Sequence, residues 1–245
     1  MTICAIIISK NEEEMIGECI DSLTFADEII VVDGESTDGT AQVAKKKGAN
    51  VIVHTFNDFS TQRTFALAQT KADWVVYIDA DERVTNELAH ELKNLIQSTT
   101  YSAFKIRRVN HYLGKPWPKE DLLERVFKKN RLKGWYGTVH ESPSIDGEIG
   151  TATHPILHYT HRNLESMLEK TITWSDYEAK LRFDNHHPPI TWWRVLRVGM
   201  TNFFEYFVAQ KGFTAGTVGV IESVYQSFSM MITYCKLWEL QRKNI

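Results

Sequence analysis

An α/β fold built on a mostly parallel sheet is what this sequence predicts, and three observations carry the prediction. The first hundred residues alternate short runs rich in Ile and Val with segments of helical rhythm, at the spacing of strand–helix–strand units. Polar and acidic clusters sit where those runs end, the edge at which parallel sheets receive ligands. The last 55 residues change character and become aromatic and mildly basic, which adds a helical extension to the sheet domain.

The elements follow in order. Ile3–Ser9, Glu28–Asp33, Val51–His54 and Trp74–Asp79 read as buried strands. Between them, Glu14–Leu23, Thr40–Lys47 and Ser60–Gln69 read as helices packed on one face, with Asp38-Gly39-Thr40 supplying an N-cap signal for the second. From Tyr101 to Tyr159, alternating segments separated by Gly, Pro and Trp (Ala103–Arg108, Arg125–Lys129, Ile156–Tyr159) read as a mixed extension of the sheet. Leu164–Leu181 reads as a helix. His186-His187-Pro188-Pro189 then breaks the chain, which sets expected regions of 1–189 and 190–245.

The composition bounds the function. In 245 residues, 28 Lys+Arg face 31 Asp+Glu, and 43% of residues are hydrophobic, which excludes a disordered or fibrous chain. The formal charge of −3 argues against a general nucleic-acid binder. Three scattered cysteines (Cys4, Cys19, Cys235) give neither a disulfide framework nor a CxxC zinc module, and fit a reducing cytosol. The apolar start is short and runs at once into Lys-Asn-Glu-Glu-Glu, unlike a signal peptide. No run approaches the ~20 apolar residues that span a bilayer. The last 55 residues hold eleven of the 28 aromatics and a local charge of +3. That composition suits helices lying on a membrane surface, and equally a helical pair packed on the domain or on a second subunit.

Asp79-Ala80-Asp81 ends the strand Trp-Val-Val-Tyr-Ile, so two carboxylates occupy the ligand edge. Their repulsion is relieved by a shared cation, and oxygen ligation favours Mg²⁺ or Mn²⁺. Acidic pairs also cap helices, but here Thr85 is placed to cap the next one.

The context is more specific. Ile-Ile-Ser-Lys-Asn-Glu-Glu-Glu (7–14), Ala-Asp-Glu-Ile-Ile-Val-Val-Asp-Gly-Glu-Ser-Thr-Asp-Gly-Thr (26–40) and Asp-Trp-Val-Val-Tyr-Ile-Asp-Ala-Asp-Glu-Arg (73–83) occur in order. Together they resemble the family-2 glycosyltransferases of the GT-A fold, a Rossmann-like sheet flanked by helices. Arg125-Val126-Phe127, Val139-His140-Glu141 and Leu157-His158-Tyr159-Thr160 extend the resemblance to the bacterial subgroup of lipopolysaccharide-core β-1,4-glucosyltransferases. The Gly212-Phe213…Gly216…Gly219 region resembles it less specifically.

The resemblance implies a nucleotide-diphosphate sugar donor, usually a UDP-sugar. It implies that Ser9 and Asn11 line the nucleotide and that Asp33 contacts the base. It places Arg63 near uracil and phosphates, with Thr64 standing where the family usually has Asn. Asp79, Ala80 and Asp81 are implied to bind the nucleotide sugar, Asp79 facing the ribose or donor sugar and Asp81 the metal, with His158 completing the metal shell. Taken alone, each of these residues also has an ordinary structural use as a strand-end hydrogen bonder, ion pair or core histidine.

An inverting transferase needs a base for the acceptor hydroxyl. Glu141 matches the subgroup's base position and is preferred, with Asp121 of Glu120-Asp121 as the second candidate. Trp117 and Trp135 are candidates to stack on an acceptor sugar, or are core. His154, His158 and His161 have zinc-like spacing, but Pro155 and the strand-like Ile-Leu-His-Tyr oppose a helical zinc site.

The expectation is therefore a cytoplasmic, inverting, metal-dependent hexosyltransferase, acting on a glycan or lipid-linked glycan for bacterial cell-surface polysaccharide. It would be peripheral on the inner face of the plasma membrane, or a homodimer through the tail, and would bind no nucleic acid. Three other readings stay open: transfer to a polyprenyl phosphate, a non-catalytic sugar-nucleotide or glycan-binding module, and a membrane scaffold.

Overall fold

The computed structural model describes residues 1–56, 58–137 and 141–243. The opening apolar runs form the expected alternation: β1 (Ile3–Ser9), α1 (Glu13–Asp21), β2 (Glu28–Asp33), α2 (Thr40–Lys46), β3 (Asn50–Val53), α3 (Phe59–Ala68) and β4 (Trp74–Asp79). The four strands pair in parallel in the order β3-β2-β1-β4. β1 shows why its sequence lacks polar alternation. Ile3, Ala5 and Ile7 enter a core under α1, α2 and the later helix α4, whereas Cys4 and Ile6 enter a second core on the α3 side. A strand covered on both faces reads as one continuous apolar run.

After β4 come β5 (Glu82–Val84), α4 (Asn86–Leu95), β6 (Ala103–Tyr112), β7 (Lys115–Pro116), β8 (Asp121–Lys128), β9 (Leu132–Tyr136), β10 (Ser142–Ile145), β11 (Ile149–Thr151) and β12 (Ile156–Thr160). The sheet now changes polarity. β8 runs antiparallel to both β4 and β6, and β5 runs antiparallel to β12. Eight residues join β6 to β8, too few for the dozen or more of a parallel crossover, so only reversed pairing is available. β9 and β10 form a separate two-stranded ladder. Thr85 caps α4 by accepting from the amide of Leu88 (3.2 Å), as its position predicts.

The chain ends with α5 (Leu164–Asp184), α6 (Trp192–Phe204) and α7 (Thr217–Lys243). By compactness it divides into two units, residues 1–109 with 121–158, and residues 110–120 with 159–245. The division differs from the 189/190 boundary read from composition. Composition changes at 190, but packing changes earlier, because α5 belongs with the tail. Tyr225 on α7 donates to the carbonyl of Met167 on α5 (2.7 Å) and accepts from Thr171 (3.0 Å).

Within the second unit, α6 and α7 run antiparallel. Ser227 donates to the carbonyl of Gly199 (2.8 Å), and Gln241 at the far end accepts from the amide of Ile190 (2.9 Å). Two glycines permit the tight corner between them. A Cβ on Gly219 would meet the carbonyl oxygen of Gly212 at 1.8 Å, and one on Gly212 would strike Trp117.

Cys4 and Cys19 are buried, whereas Cys235 lies exposed on α7. Burial pushes the Cys4 thiol up to about 12 and raises that of Cys19 further, so neither presents a thiolate. A thiol-reactive chromophore should therefore label one cysteine in the native protein and three after unfolding. Rapid native labelling of a second thiol would contradict this packing.

Candidate active site

The parallel register brings the strand ends to one edge: Ser9 lies opposite Asp33, and Ile8 opposite Asp79. Beyond that edge, Asn11 adopts a left-handed conformation (φ 55°), which asparagine tolerates better than most residues. Its amide donates to Ser36 Oγ (2.9 Å) and its Oδ1 accepts from the amide of Thr37 (2.8 Å). Asp33 takes both the amide (3.0 Å) and the hydroxyl (2.6 Å) of Ser36. Asp38 and Glu13 close the loop reciprocally, each accepting from a backbone amide at or next to the other, Glu13 N (3.1 Å) and Gly39 N (2.9 Å). Asn11 and Asp33 thus shape the loop after β2. Ser9 Oγ is buried at the strand end without a hydrogen-bond partner among the described residues, and buried polar groups of this kind are ordinarily satisfied.

Asp79 is the centre of an ion network that sequence reading did not find. One carboxylate oxygen accepts from Arg125 Nη2 at 2.6 Å, the other from Arg63 Nη2 at 3.0 Å. Arg125 also reaches Glu82 (2.8 Å), whose other oxygen accepts from the amide of Asp79 (2.9 Å). Arg108 continues from Glu82 (3.5 Å) to Asp121 (2.8 Å), while Arg63 Nε continues to Glu141 (2.9 Å). Charges therefore alternate from Glu141 through Arg63, Asp79, Arg125, Glu82 and Arg108 to Asp121. The two candidate bases lie at its two ends.

Burial opposes the charge on Asp79, but Arg125 and Arg63 outweigh it and hold the carboxyl well below its ordinary range. Glu82 is wholly buried. Desolvation raises its pKa despite Arg125, and the neighbouring Asp79 charge adds to the rise. For Arg125 burial alone would favour the neutral form, but Asp79 and Glu82 reverse this and fix the positive charge. The Arg63 guanidinium also lies over the rings of Trp135 (5.1 Å) and Tyr77 (5.5 Å), and its buried Nη1 has no hydrogen-bond partner among the described residues.

Asp81, two residues along, has a different setting. Its Oδ2 lies 3.2 Å from His158 Nε2, because antiparallel pairing of β12 with β5 sets His158 opposite Glu82. An oxygen and an imidazole nitrogen at the sheet edge fit a hard divalent ion that keeps waters and takes further ligands from substrate phosphates. Among the described residues no group of three or more His, Cys, Asp or Glu suits a metal, and Asp81 and His158 are the two placed to hold one.

The zinc reading fails on geometry. His154 pairs with Glu91 (2.7 Å), His158 with Asp81, and His161 with Glu222 (2.9 Å), so the three rings go to three different carboxylates. Trp117 is corrected from acceptor platform to core. It is 3% exposed, donates to Gln210 (2.9 Å) and packs on Tyr112 and Tyr206, so its ring has no open face. Trp135 carries Arg63 on its ring and packs edge-on to Tyr77 and Phe127. That geometry gives it a role in holding Arg63. His140 and Val139, which carried part of the resemblance, lie outside the described residues.

Glu82, Arg108 and Arg125 stand in or beside the stretches that carry the resemblance, yet sequence reading gave them no role in the site. Arg125 had one local signal, a cation within the apolar half of a strand, where a buried charge requires a partner.

Asp79→Asn should leave Arg63 and Arg125 short of an anion and cost about 3 kcal/mol, the usual penalty for breaking a buried pair. Asp81→Asn leaves the arginine network in place and should cost about 1 kcal/mol or less. Urea unfolding of both variants checks the difference; equal losses would refute the division between them.

The family model for "Glycosyl transferase family 2" matches residues 4–145. An uncharacterized glycosyltransferase of Rickettsia typhi is 30% identical over 99% of this chain and 88% of its own length. The lipopolysaccharide core biosynthesis glycosyltransferase LpsC of Rhizobium meliloti is 26% identical over 98% and 93%. Among solved structures, glucosyl-3-phosphoglycerate synthase from Mycobacterium tuberculosis, determined with Mn²⁺, UDP and glucosyl-3-phosphoglycerate, superposes with a TM-score of 0.50. It is 19% identical, over 74% of this chain and 78% of that one. With the motifs, the sheet and the matched model in agreement, the chain belongs to the family-2 glycosyltransferases and has the GT-A fold.

Proposed function

We propose that the protein is an inverting, metal-dependent hexosyltransferase that takes its sugar from a nucleotide diphosphate, a UDP-sugar by preference. The acceptor is a glycan or lipid-linked glycan of bacterial cell-surface polysaccharide synthesis, a choice supported by the similarity to LpsC. The observation that carries the reading is the convergence of Glu141 and Asp79 on one guanidinium, that of Arg63. It ties a candidate base, 62 residues beyond Asp79 in sequence, to the edge where parallel sheets bind nucleotides.

In this reading Ser9 Oγ and Arg63 Nη1, both buried without a partner among the described residues, are the groups left for the donor. The loop ordered by Asn11 and Asp33 bounds the nucleotide. Asp81 and His158 would hold Mg²⁺ or Mn²⁺. When bound, such an ion supplies positive charge against the diphosphate. Glu141 has one oxygen engaged by Arg63 Nε, and its other oxygen accepts the proton of the acceptor hydroxyl. That hydroxyl oxygen forms its bond to the anomeric carbon as the bond to the diphosphate oxygen breaks, which inverts the centre without a covalent intermediate. Asp79, with both oxygens taken by arginines, positions Arg63 and does not bear on the sugar by itself. Asp121, held by Arg108, is the second choice for the base.

No helix among the described residues is long and apolar enough to cross a membrane. A lipid-linked acceptor then requires the enzyme to meet the membrane at its surface, which we place at the cytoplasmic face.

Glu141→Gln should retain nucleotide-sugar binding and lose about 10²–10⁴-fold in transfer, the usual worth of a positioned base. Transfer at the wild-type rate by Glu141→Gln, with Asp121→Asn inactive, would move the base to the other end of the ion network. Chelator excess should abolish transfer and Mg²⁺ or Mn²⁺ restore it. Undiminished transfer in chelator would remove the metal from the mechanism.

A further inference from the structure

The second unit exposes an unusual amount of large apolar surface for a folded chain. On α6, Trp192 is 78% exposed, Met200 60% and Phe204 59%, and Trp193 and Leu196 are also open. Positions 193, 196, 200 and 204 follow the 3–4 spacing of one helix face. On α7, Val220, Val224, Phe228 and Trp238 are open as well. The contact of Gly199 with Ser227 and Met231 fixes how the helices face each other. At about 100° per residue, and with the helices antiparallel, the α6 stripe and Val224, Phe228 and Cys235 turn to the same side of the pair. Isolated exposed apolar residues need no explanation, but a contiguous face built from two helices marks a contact surface.

The chemistry of its edge selects the occupant. Where the start of α6 meets the end of α7, Arg197 lies over the Trp193 ring (5.0 Å) and Arg242 over the Trp238 ring (4.8 Å), with Trp192 and Lys243 beside them. Tryptophan paired with a cation above an apolar stripe is the arrangement of a helix lying in a headgroup layer, rings at the boundary and charges outward. A second copy on the same face would be related by a two-fold axis and would bring the same arginines into one interface without added anions. Anionic headgroups neutralise them.

We propose that the exposed α6–α7 face is a docking surface for an anionic lipid bilayer, with Trp193, Leu196, Met200, Phe204, Val224 and Phe228 entering the interface and Arg197 and Arg242 meeting headgroups. It rests on the membrane placement of the proposed function and is independent of the catalytic assignment.

The full chain should co-sediment with phosphatidylcholine vesicles containing phosphatidylglycerol and about tenfold less well with pure phosphatidylcholine. Salt near 1 M, where screening extends only about 3 Å, should weaken the binding. Trp193→Ser with Phe204→Ser, both at exposed positions, should lose binding about tenfold, and Arg197→Glu with Arg242→Glu should remove its preference for anionic lipid. Donor hydrolysis in vesicle-free solution should stay unchanged in both double variants. Failure of the wild-type chain to bind either vesicle overturns the proposal, as does equal binding to both. So does a stable dimer in light scattering that Trp193→Ser with Phe204→Ser dissociates while vesicle binding persists. Absent donor hydrolysis in a protein that does bind vesicles would instead refute the catalytic reading and leave the surface intact.

Discussion

The Asp79 carboxylate held between Arg63 and Arg125 is the constraint on which the rest of the candidate site depends. The three side chains come from β4, α3 and β8, and the chain reaches them from far-apart stretches of sequence. Both guanidinium groups are buried and Asp79 is partly so, and a buried charge left without its partner is costly. Such a junction does little for net stability compared with an apolar core of the same volume. What it supplies is a single geometry. Slipping β8 by one residue against β4 would turn Arg125 to the opposite face and leave Asp79 and Glu82 without their common cation.

The same constraint divides the Asp79-Ala80-Asp81 triplet into two roles. Adjacent-but-one carboxylates at a strand end repel, and the chain resolves the repulsion by giving each its own partner. Asp79 is neutralised by two guanidinium groups, and its amide is held by Glu82. Asp81 is left with an imidazole, a partner whose nitrogen can serve a cation as readily as a carboxylate. The motif as a string of letters is symmetric, but its environment is not. A substitution at either aspartate asks a different physical question.

Much of this was legible in the sequence, and the part that was not has a common cause. β1, β2 and β4 fall at their expected bounds, because a doubly covered parallel strand leaves an unbroken apolar run. The cap at Thr85 and the Asp38–Thr40 contact at the start of α2 are local hydrogen bonds that short-range patterns encode, whereas Asn11 reaches Thr37 across 26 residues. Glu82, Arg108 and Arg125 escaped because an ion network is a property of distant positions, and no periodicity marks them. Trp117 misled for the opposite reason: a tryptophan beside a turn suggests an open ring, yet Gly212 lets the backbone close over it. The boundary at 189/190 likewise followed composition, whereas α5 is held to α7 through Thr171 and Tyr225, side chains that composition does not weigh.

The alternation of charge also bears on what the site will accept. From Glu141 to Asp121 four carboxylates meet three guanidinium groups, and Asp81 stands beside the network against His158. A nucleotide diphosphate approaching that edge meets more acid than base, so the arginines alone do not make it an anion site. Two arrangements relieve the excess. Glu82, whose pKa burial raises, lowers the negative charge when it holds a proton, and in the proposed function a divalent cation held at Asp81 would lower it there. The first acts inside the protein and leaves the outer edge unchanged. The second would act at the edge itself, and would let the charge of a diphosphate and that of Asp81 coexist within a few ångströms.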